Sequence, residues 1–254
     1  DDSGVHGAAV IRAAAEIDLA SGLDASTQRA EQKSLYEAAD RRLTRAADFF
    51  LAHAQPARAA GATNYRGVRA VHLGANDLAA RHFARALELA RTGGDRAEQS
   101  KALMNLAWTH RSQGQVSQAA KEYESLLPLM DAQRQPYYYG VMLNNYGFCL
   151  IALGDFDRAL ELHTQALELF TRLGQKGERA MQLTALGTLY FRVGDAHRAL
   201  ETLRTAIQEQ ENNSDTRALV STLRIAGNAA SSIGQHDLAL EFLPRSAGLV
   251  AHPG

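Results

Sequence analysis

The chain has 254 residues, 46% of them hydrophobic, and a formal net charge of −1, which predicts a soluble, folded protein. The near-neutral charge disfavours a dedicated nucleic-acid-binding protein, which would gather an excess of Lys and Arg on one face. A single cysteine, Cys149, excludes an internal disulfide and a cysteine-built metal site. No apolar run approaches the ~20 residues of a membrane span. The first residue is Asp1 rather than Met, so we expect an excised or processed segment, with a cytoplasmic location.

Residues 1–55 are predicted to form an atypical N-terminal helix pair. Apolar residues recur at helical spacing from Val5 to Ala20, and Gly22 then breaks the pattern. A longer second helix is expected from about Ser26 to Ala54. It is in register with the segments that follow, whereas the first helix is not. Terminal repeats of stacked-repeat proteins are commonly atypical in this way.

The rest of the chain repeats with a period of 40 residues. Five glycines mark the period, and each is followed five residues later by an alanine and preceded seven residues earlier by Gly or Ala. The marking glycines are Gly74, Gly114, Gly154, Gly194 and Gly234. A glycine placed there can adopt a positive φ, end one helix and let the chain reverse. Small residues on both helices let the two backbones approach closely. We therefore predict stacked helix pairs.

The segment 56–254 is predicted to contain five such pairs in one continuous solenoid domain. Pro56 suits the first turn of the first pair, because its missing N–H is not needed there. Asp95 with Glu98 predicts a capping box, and Asp155 is expected to cap another helix. The predicted helices are 57–73 with 76–92, 95–112 with 115–130, 136–152 with 155–172, 176–192 with 195–211, and 215–232 with 235–250.

The order Tyr146-Gly147, Leu150, Gly154-Asp155-Phe156, Ala159 and Ala166 resembles the tetratricopeptide repeat in its longer-period form. The resemblance covers about residues 57–250 in five copies. It implies an all-α fold: a right-handed α-solenoid of antiparallel helix pairs, about six in number. Propeller blades and HEAT-type arrays have similar periods. Propellers do not fit the 3.6-residue periodicity, and HEAT-type repeats do not explain the step of five from glycine to alanine.

The sequence contains no motif that predicts catalysis. It has no Gly-x-Ser-x-Gly, no phosphate-binding glycine-rich loop and no His-Glu-x-x-His. His110 and His163 occupy repeat positions that are usually packing positions, and Asp155 and Asp157 are explained by helix capping and solvation. We therefore expect no enzyme, no cofactor and no metal site.

The predicted functional surface is a groove for a protein or peptide ligand. In tetratricopeptide arrays the first helix of each pair lines the concave face, and repeat phase assigns 25 positions there, none of them Asp or Glu. This composition favours a ligand with acidic character. The expected groove residues are Asn64, Lys101, Asn105, Trp108, Arg111, Asn144, Asn145, Phe148, Arg192, Arg224 and Asn228.

We expect Trp108 and Phe148 to anchor apolar side chains and the arginines to bind carboxylates. The resemblance implies that the asparagines, above all Asn145, contact the peptide backbone. Packing between first helices is the alternative for the two aromatic residues, and solvation is the alternative for the arginines.

Two other functions stay open. One is a sensor or regulatory arm of a larger protein, because similar arrays precede caspase-like CHAT protease domains and occur in bacterial signalling proteins. The other is a scaffold that self-associates through its terminal repeats.

Overall fold

The computed structural model describes residues 25–212 and 216–251, with side chains described from residue 37 to 249 outside the gap. In these ranges it contains eleven α-helices, one short 3-10 turn and no strand. The helix predicted from Val5 to Ala20 lies outside the described residues. The helices are α1 (Ala25–Ala52), α2 (Pro56–His72), α3 (Asn76–Thr92), α4 (Arg96–Ser112), α5 (Val116–Leu126), α6 (Pro136–Leu153), α7 (Phe156–Arg172), α8 (Lys176–Arg192), α9 (Ala196–Asn212), α10 (Thr216–Ser232) and α11 (His236–Ala251).

The chain divides into two compact units, Asp1–Leu129 and Met130–Gly254. In each unit every helix packs against the next one along the chain. We refer to α2, α4, α6, α8 and α10 as the first helices and to α3, α5, α7, α9 and α11 as the second helices of their pairs. First helices also touch directly, α2 against α4 in one unit and α8 against α10 in the other. The all-α repeat fold is confirmed, and one continuous solenoid domain stays a prediction.

The turns inside the pairs form as the glycine period predicts. Gly154 has φ +83°, and the N–H of Asp155 donates to the carbonyl of Leu150 at 3.0 Å. The Asp155 carboxylate then accepts from the N–H of Arg158 at 3.3 Å and caps α7. The same left-handed conformation occurs at Gly74, Gly114, Gly194 and Gly234. Each pair therefore reverses direction within three residues.

On four of the five first helices, a glycine makes room for a specific side chain of the second helix. A Cβ on Gly147 would lie 2.6 Å from Nε2 of His163, and one on Gly187 would lie 2.5 Å from Cγ of Leu203. The facing side chain thus comes nine residues after the turn glycine. The alanine five residues after the turn, such as Ala159, is fully buried beside it.

The helix predicted over 115–130 ends early. It stops at Leu126, and a 3-10 turn covers Leu127–Leu129. Pro128 has no N–H to donate to the carbonyl four residues earlier, which explains the early end.

Arg66 stands where the repeat usually has a large apolar residue, and the structure explains the substitution. Its guanidinium binds the Asp40 carboxylate of α1 side-on, with Nε to Oδ1 at 2.7 Å and Nη2 to Oδ2 at 3.2 Å. An ion pair therefore joins α2 to the preceding helix in place of apolar packing.

Candidate peptide-binding face

Positive charge is concentrated on the first helices. The five first helices carry eleven Lys or Arg and two Asp or Glu residues. The five second helices carry nine Lys or Arg and twelve Asp or Glu residues. The first helices as a set are therefore net positive, and the second helices as a set are slightly net negative, although α3 is net positive and α6 has no charged residue. A net charge near zero hides this separation.

Both acidic residues of the first helices are already engaged inside the chain. Glu98 Oε1 accepts from Nζ of Lys101 at 2.7 Å, and Glu178 Oε1 accepts from the hydroxyl of Tyr137 at 2.8 Å. The hydrogen bond to Glu98 is the main cause that raises the pKa of Lys101. Asp95 caps α4 through the N–H groups of residues 97 and 98, but Glu98 bonds to Lys101 instead of closing the predicted capping box.

In the first unit, two of the predicted groove asparagines bind each other. Nδ2 of Asn105 on α4 donates to Oδ1 of Asn64 on α2 at 3.1 Å, and Asn64 is buried. Because these two side-chain amides bond to each other across neighbouring first helices, fewer of their donors and acceptors remain for a ligand.

Trp108 and Arg111 follow on the same helix, one turn apart. Trp108 is 39% exposed, which is high for a side chain of its size. Arg111 is half-buried, and its Nε has no hydrogen-bond partner although it is shielded from solvent.

In the second unit, Asn144 belongs to a buried polar chain that crosses three helices. Nε2 of Gln182 on α8 donates to Oδ1 of Asn144 on α6 at 2.8 Å. Oε1 of Gln182 accepts from Nδ1 of His163 on α7, also at 2.8 Å. Gln182 and His163 are both fully buried. These hydrogen bonds fix the rotamer of Asn144 on the surface of α6.

The surroundings of His163 favour its neutral form. Burial lowers its pKa, and the hydrogen bond from its Nδ1 to Gln182 offsets this only in part. Its Nε2 is buried against Gly147 and has no hydrogen-bond partner. A proton added there would find no acceptor, so the neutral ring fits the site.

Phe148 packs on the same histidine. Its ring lies 5.1 Å from the His163 ring, centroid to centroid, at an interplanar angle of 72°. Phe148 is half-buried, so one part of it packs inside the pair and another part remains on the surface. The edge-to-face arrangement is a favourable one for two aromatic rings.

Four predicted groove residues of the second unit form no side-chain hydrogen bond or ion pair in the described ranges. Asn145 is half-buried, and Arg192, Arg224 and Asn228 are exposed. Their donors and acceptors remain available to a ligand. By contrast, Arg179 on α8 is bound to Glu209 of α9.

Sequence reasoning missed the polar groups between first helices. Oγ1 of Thr184 on α8 lies 3.0 Å from Oγ1 of Thr222 on α10, and it also accepts from Nε2 of the buried Gln210 at 3.1 Å. Gln182 and Thr222 occupy the same repeat position, 40 residues apart, where earlier repeats have apolar residues. The sequence signal that could have revealed these polar contacts is a polar residue at a repeat position that is apolar in earlier repeats.

No group of three or more metal-binding side chains lies close together among the residues with described positions. Cys149 is fully buried in α6. In the described ranges, no helix is long and apolar enough to cross a membrane.

The geometry defines a class of protein, an α-helical repeat solenoid, whose fold typically serves protein interaction. A family model described as tetratricopeptide repeat matches residues 138–212, and a second one with the same description matches 101–127. Residues 101–127 and 138–212 of the chain are therefore tetratricopeptide repeats. Both matches fall within the region that the resemblance covered.

Particular relatives fall into two kinds. The chain is similar to the crystal structure of BtubC from P. vanneervenii, with 21% identity and a TM-score of 0.68 over 85% of this chain and 91% of that one. It is also similar to a STAND signal-transduction ATPase with a tetratricopeptide repeat sensor from Pyrococcus horikoshii, with 15% identity and a TM-score of 0.69, covering 87% of this chain and 34% of the ATPase. At these identities the likeness is one of fold.

A relative by sequence is the regulatory protein AfsR of Streptomyces griseus. It is 25% identical over 178 residues, which cover 70% of this chain. The matched region spans 17% of the length of AfsR.

Proposed function

We propose that this chain is a protein-interaction module whose first helices bind an acidic segment of a partner protein. The observation that carries the proposal is the separation of charge: eleven basic against two acidic residues on the first helices, with both acids engaged internally. Like-signed charge along one set of helices attracts and orients a ligand of opposite charge. The fold supports an interaction role, and the charge supports the chemistry of the partner.

In the second unit, Arg192 and Arg224 would bind carboxylates of the ligand. Asn145 and Asn228 would bind its backbone, since their amides have no partner in the described chain. The exposed part of Phe148 would contact an apolar side chain between the charges. Asn144 would contribute less, because Gln182 already occupies its carbonyl oxygen.

The test is a calorimetric titration with two nine-residue peptides. The first, the Glu/Leu peptide, alternates Glu and Leu, and the second, its Gln twin, has Gln in place of every Glu. We expect the Glu peptide to bind more tightly, and its affinity to fall as salt is raised, because exposed charges are screened. The double variant Arg192→Gln with Arg224→Gln should weaken binding of the Glu peptide by about tenfold or more.

The matched control removes the same charge from the second helices, through Arg172→Gln with Arg204→Gln. It should leave the affinity of the Glu peptide close to that of the wild type. If both double variants lose affinity equally, the attraction comes from overall charge and the proposal fails.

A second candidate is a regulatory arm of a larger protein. The observation that favours it is coverage: the chain matches 34% of the STAND ATPase, whose name assigns it a tetratricopeptide repeat sensor, and 17% of the regulatory protein AfsR. We propose that acidic-segment binding would then control an effector domain in the same polypeptide, with a cytoplasmic location. Sequencing the full gene tests this directly, and a gene encoding only this chain would contradict it.

Self-association through the last repeat is a third candidate. Leu240 on α11 is 72% exposed, whereas Leu200, which holds the same repeat position on α9, is 5% exposed and packs in the core with α10. Another copy could cover Leu240 as α10 covers Leu200. A sedimentation coefficient that does not change as the protein concentration is raised to the high micromolar range would exclude this candidate.

A further inference from the structure

A chain of hydrogen bonds in the second unit begins at a buried histidine and ends at the surface of a first helix. Nδ1 of His163 and Oε1 of Gln182 lie 2.8 Å apart, and Nε2 of Gln182 donates to Oδ1 of Asn144, also at 2.8 Å. His163 and Gln182 are fully buried, whereas Asn144 is half-buried. The N–H2 group of Asn144 donates to none of the described residues and is open to solvent. One end of the chain is therefore closed, and the other end is available to a ligand.

Both buried members of this chain stand where most repeats have aromatic or aliphatic side chains. The counterparts of His163 in the other four pairs are Phe83, Tyr123, Leu203 and Leu243. The counterparts of Gln182 in the three preceding pairs are Ala62, Ala102 and Met142. Replacing two buried hydrogen-bonded partners by apolar residues of similar shape can leave stability nearly unchanged. Packing therefore does not require a polar pair at these two positions.

The direction of every bond in the chain depends on where His163 carries its proton. A side-chain amide has a donor on one side and an acceptor on the other, so each amide passes the direction on. With the proton on Nδ1, Gln182 accepts through its oxygen, donates through its nitrogen and turns the N–H2 group of Asn144 outward. With the proton on Nε2, both amides reverse, and Asn144 presents its carbonyl oxygen instead.

The surroundings of the ring place the proton on Nδ1. Burial lowers the pKa of His163, so near neutral pH only one of its nitrogens carries a proton. Nε2 has no hydrogen-bond partner in the described structure, and it lies against Gly147, where an added Cβ would be 2.6 Å away. Buried N–H groups without an acceptor are rarer in proteins than acceptors without a donor, so the proton belongs on Nδ1, where Gln182 accepts it. The edge-to-face contact with Phe148 also holds the ring in place.

We propose that His163 and Gln182 are positioning residues that hold the N–H2 group of Asn144 toward the ligand. They make this position of α6 specific for an oxygen acceptor, either a carbonyl or a carboxylate oxygen of a bound peptide. The inference rests on the proposed function and adds to it two buried residues that act only through Asn144.

The substitution Gln182→Glu tests the direction of the chain without a ligand. A carboxylate only accepts hydrogen bonds, so it accepts from His163 and forces Asn144 to turn its N–H2 group inward. Nitrogen NMR near neutral pH should show the proton of His163 on Nδ1 in the wild type. The Asn144 N–H2 group should exchange with solvent about tenfold more slowly in Gln182→Glu than in the wild type, because it becomes hydrogen-bonded. Gln208→Glu, which adds the same charge at an exposed position of α9, is the control and should leave this exchange unchanged.

The ligand is then added. Calorimetry measures binding of the Glu/Leu peptide and its Gln twin, and NMR follows the Asn144 N–H2 signals, which should shift when the wild type is saturated. A shift with both peptides identifies a carbonyl acceptor, and a shift with the Glu/Leu peptide alone identifies a carboxylate. Gln182→Glu should weaken binding of the Glu/Leu peptide about tenfold, because Asn144 then turns an acceptor toward it. Gln182→Met, which introduces the residue type of the preceding repeat, removes the chain without reversing it and should weaken binding less.

The substitution Asn144→Ala supplies the background that separates positioning from charge. Since both Gln182 substitutions act through Asn144, neither should change the affinity further once Asn144 is alanine. A direct repulsion between the new carboxylate and the peptide would persist in that background and would contradict the inference.

The outcomes separate this inference from the proposed function. A proton on Nε2 of His163, or equal exchange of the Asn144 N–H2 group in the wild type and Gln182→Glu, would overturn the inference without a ligand. Salt-dependent binding of the Glu/Leu peptide that is equally strong in both Gln182 variants would also overturn it and leave the proposed function standing. No binding of the Glu/Leu peptide to the wild type would contradict both proposals. If Gln182→Glu does not fold, Gln182→Met with and without Asn144→Ala decides between these outcomes.

Discussion

Gly147→Ala tests the packing that positions the candidate binding residues of the second unit. The added Cβ would lie 2.6 Å from Nε2, 2.8 Å from Cδ2 and 3.0 Å from Cε1 of His163. The shortest of these is roughly 1 Å inside the optimal separation of 3.5–4.0 Å for nonbonded atoms. His163 cannot rotate away freely, because its Nδ1 is bonded to Gln182 at 2.8 Å and the ring packs against Phe148.

The expected cost follows from three contributions. Overpacking a fully buried position costs about 1–3 kcal/mol. Displacing His163 also weakens its bond to Gln182, worth about 1 kcal/mol. Alanine in the middle of a helix returns about 0.5–1 kcal/mol relative to glycine. We therefore expect Gly147→Ala to lower the free energy of unfolding by about 1–3 kcal/mol.

Urea unfolding followed by circular dichroism measures this change. The matched control is Gly177→Ala in α8, where an added Cβ meets no atom within 4 Å. It should leave stability unchanged or raise it by up to about 1 kcal/mol. If Gly147→Ala is as stable as Gly177→Ala, then α6 does not approach the His163 ring as closely as the structure shows.

Three further predictions concern titration, an ion pair and an exposed side chain. Burial holds the folded-state pKa of His163 below its ordinary value of 6.5, so the unfolded chain binds the proton more readily than the folded chain. The free energy of unfolding is therefore not reduced by this group above pH 6.5, and it falls as the pH is lowered below 6.5. His163→Gln should flatten the fall in urea midpoint between pH 7 and pH 5, and an unchanged slope would assign the fall to other groups. Arg66→Gln should cost up to about 1 kcal/mol, since its pair with Asp40 is partly exposed, and an unchanged urea midpoint would show that the pair contributes nothing. Leu240→Glu should abolish any concentration-dependent sedimentation of the wild type without lowering the urea midpoint, because the side chain is 72% exposed; an associating variant would place the contact elsewhere.

The fold was predictable because its signals are local. A glycine with positive φ, an aspartate cap and a small residue at a close approach each act within a few residues, and the 40-residue period repeats them. Gly154 and Asp155 behave as the sequence predicted. The end of α5 at Leu126 was not predicted, although Pro128 in the sequence indicates a helix end there.

The candidate face was harder to predict because it depends on partners from other repeats. Asn64 and Asn105 have the right residue type for a ligand, yet they bind each other across 41 positions of sequence. Gln182 was not singled out, and it takes the carbonyl oxygen of Asn144. Such pairs become visible only when the helices are packed. The pairing of Lys101 with Glu98, three residues apart on one helix, could have been read from the sequence.

The most direct test of the account is to locate a bound acidic peptide on the chain. A nine-residue Glu/Leu peptide with a photoreactive leucine analogue at its centre is crosslinked to the protein, and the labelled residues are identified by mass spectrometry. The account predicts labels on the first helices, in the segment of Trp108 in the first unit or in that of Phe148 in the second unit, and competition by the unmodified peptide but not by its Gln twin. Competed labels confined to the second helices would contradict it.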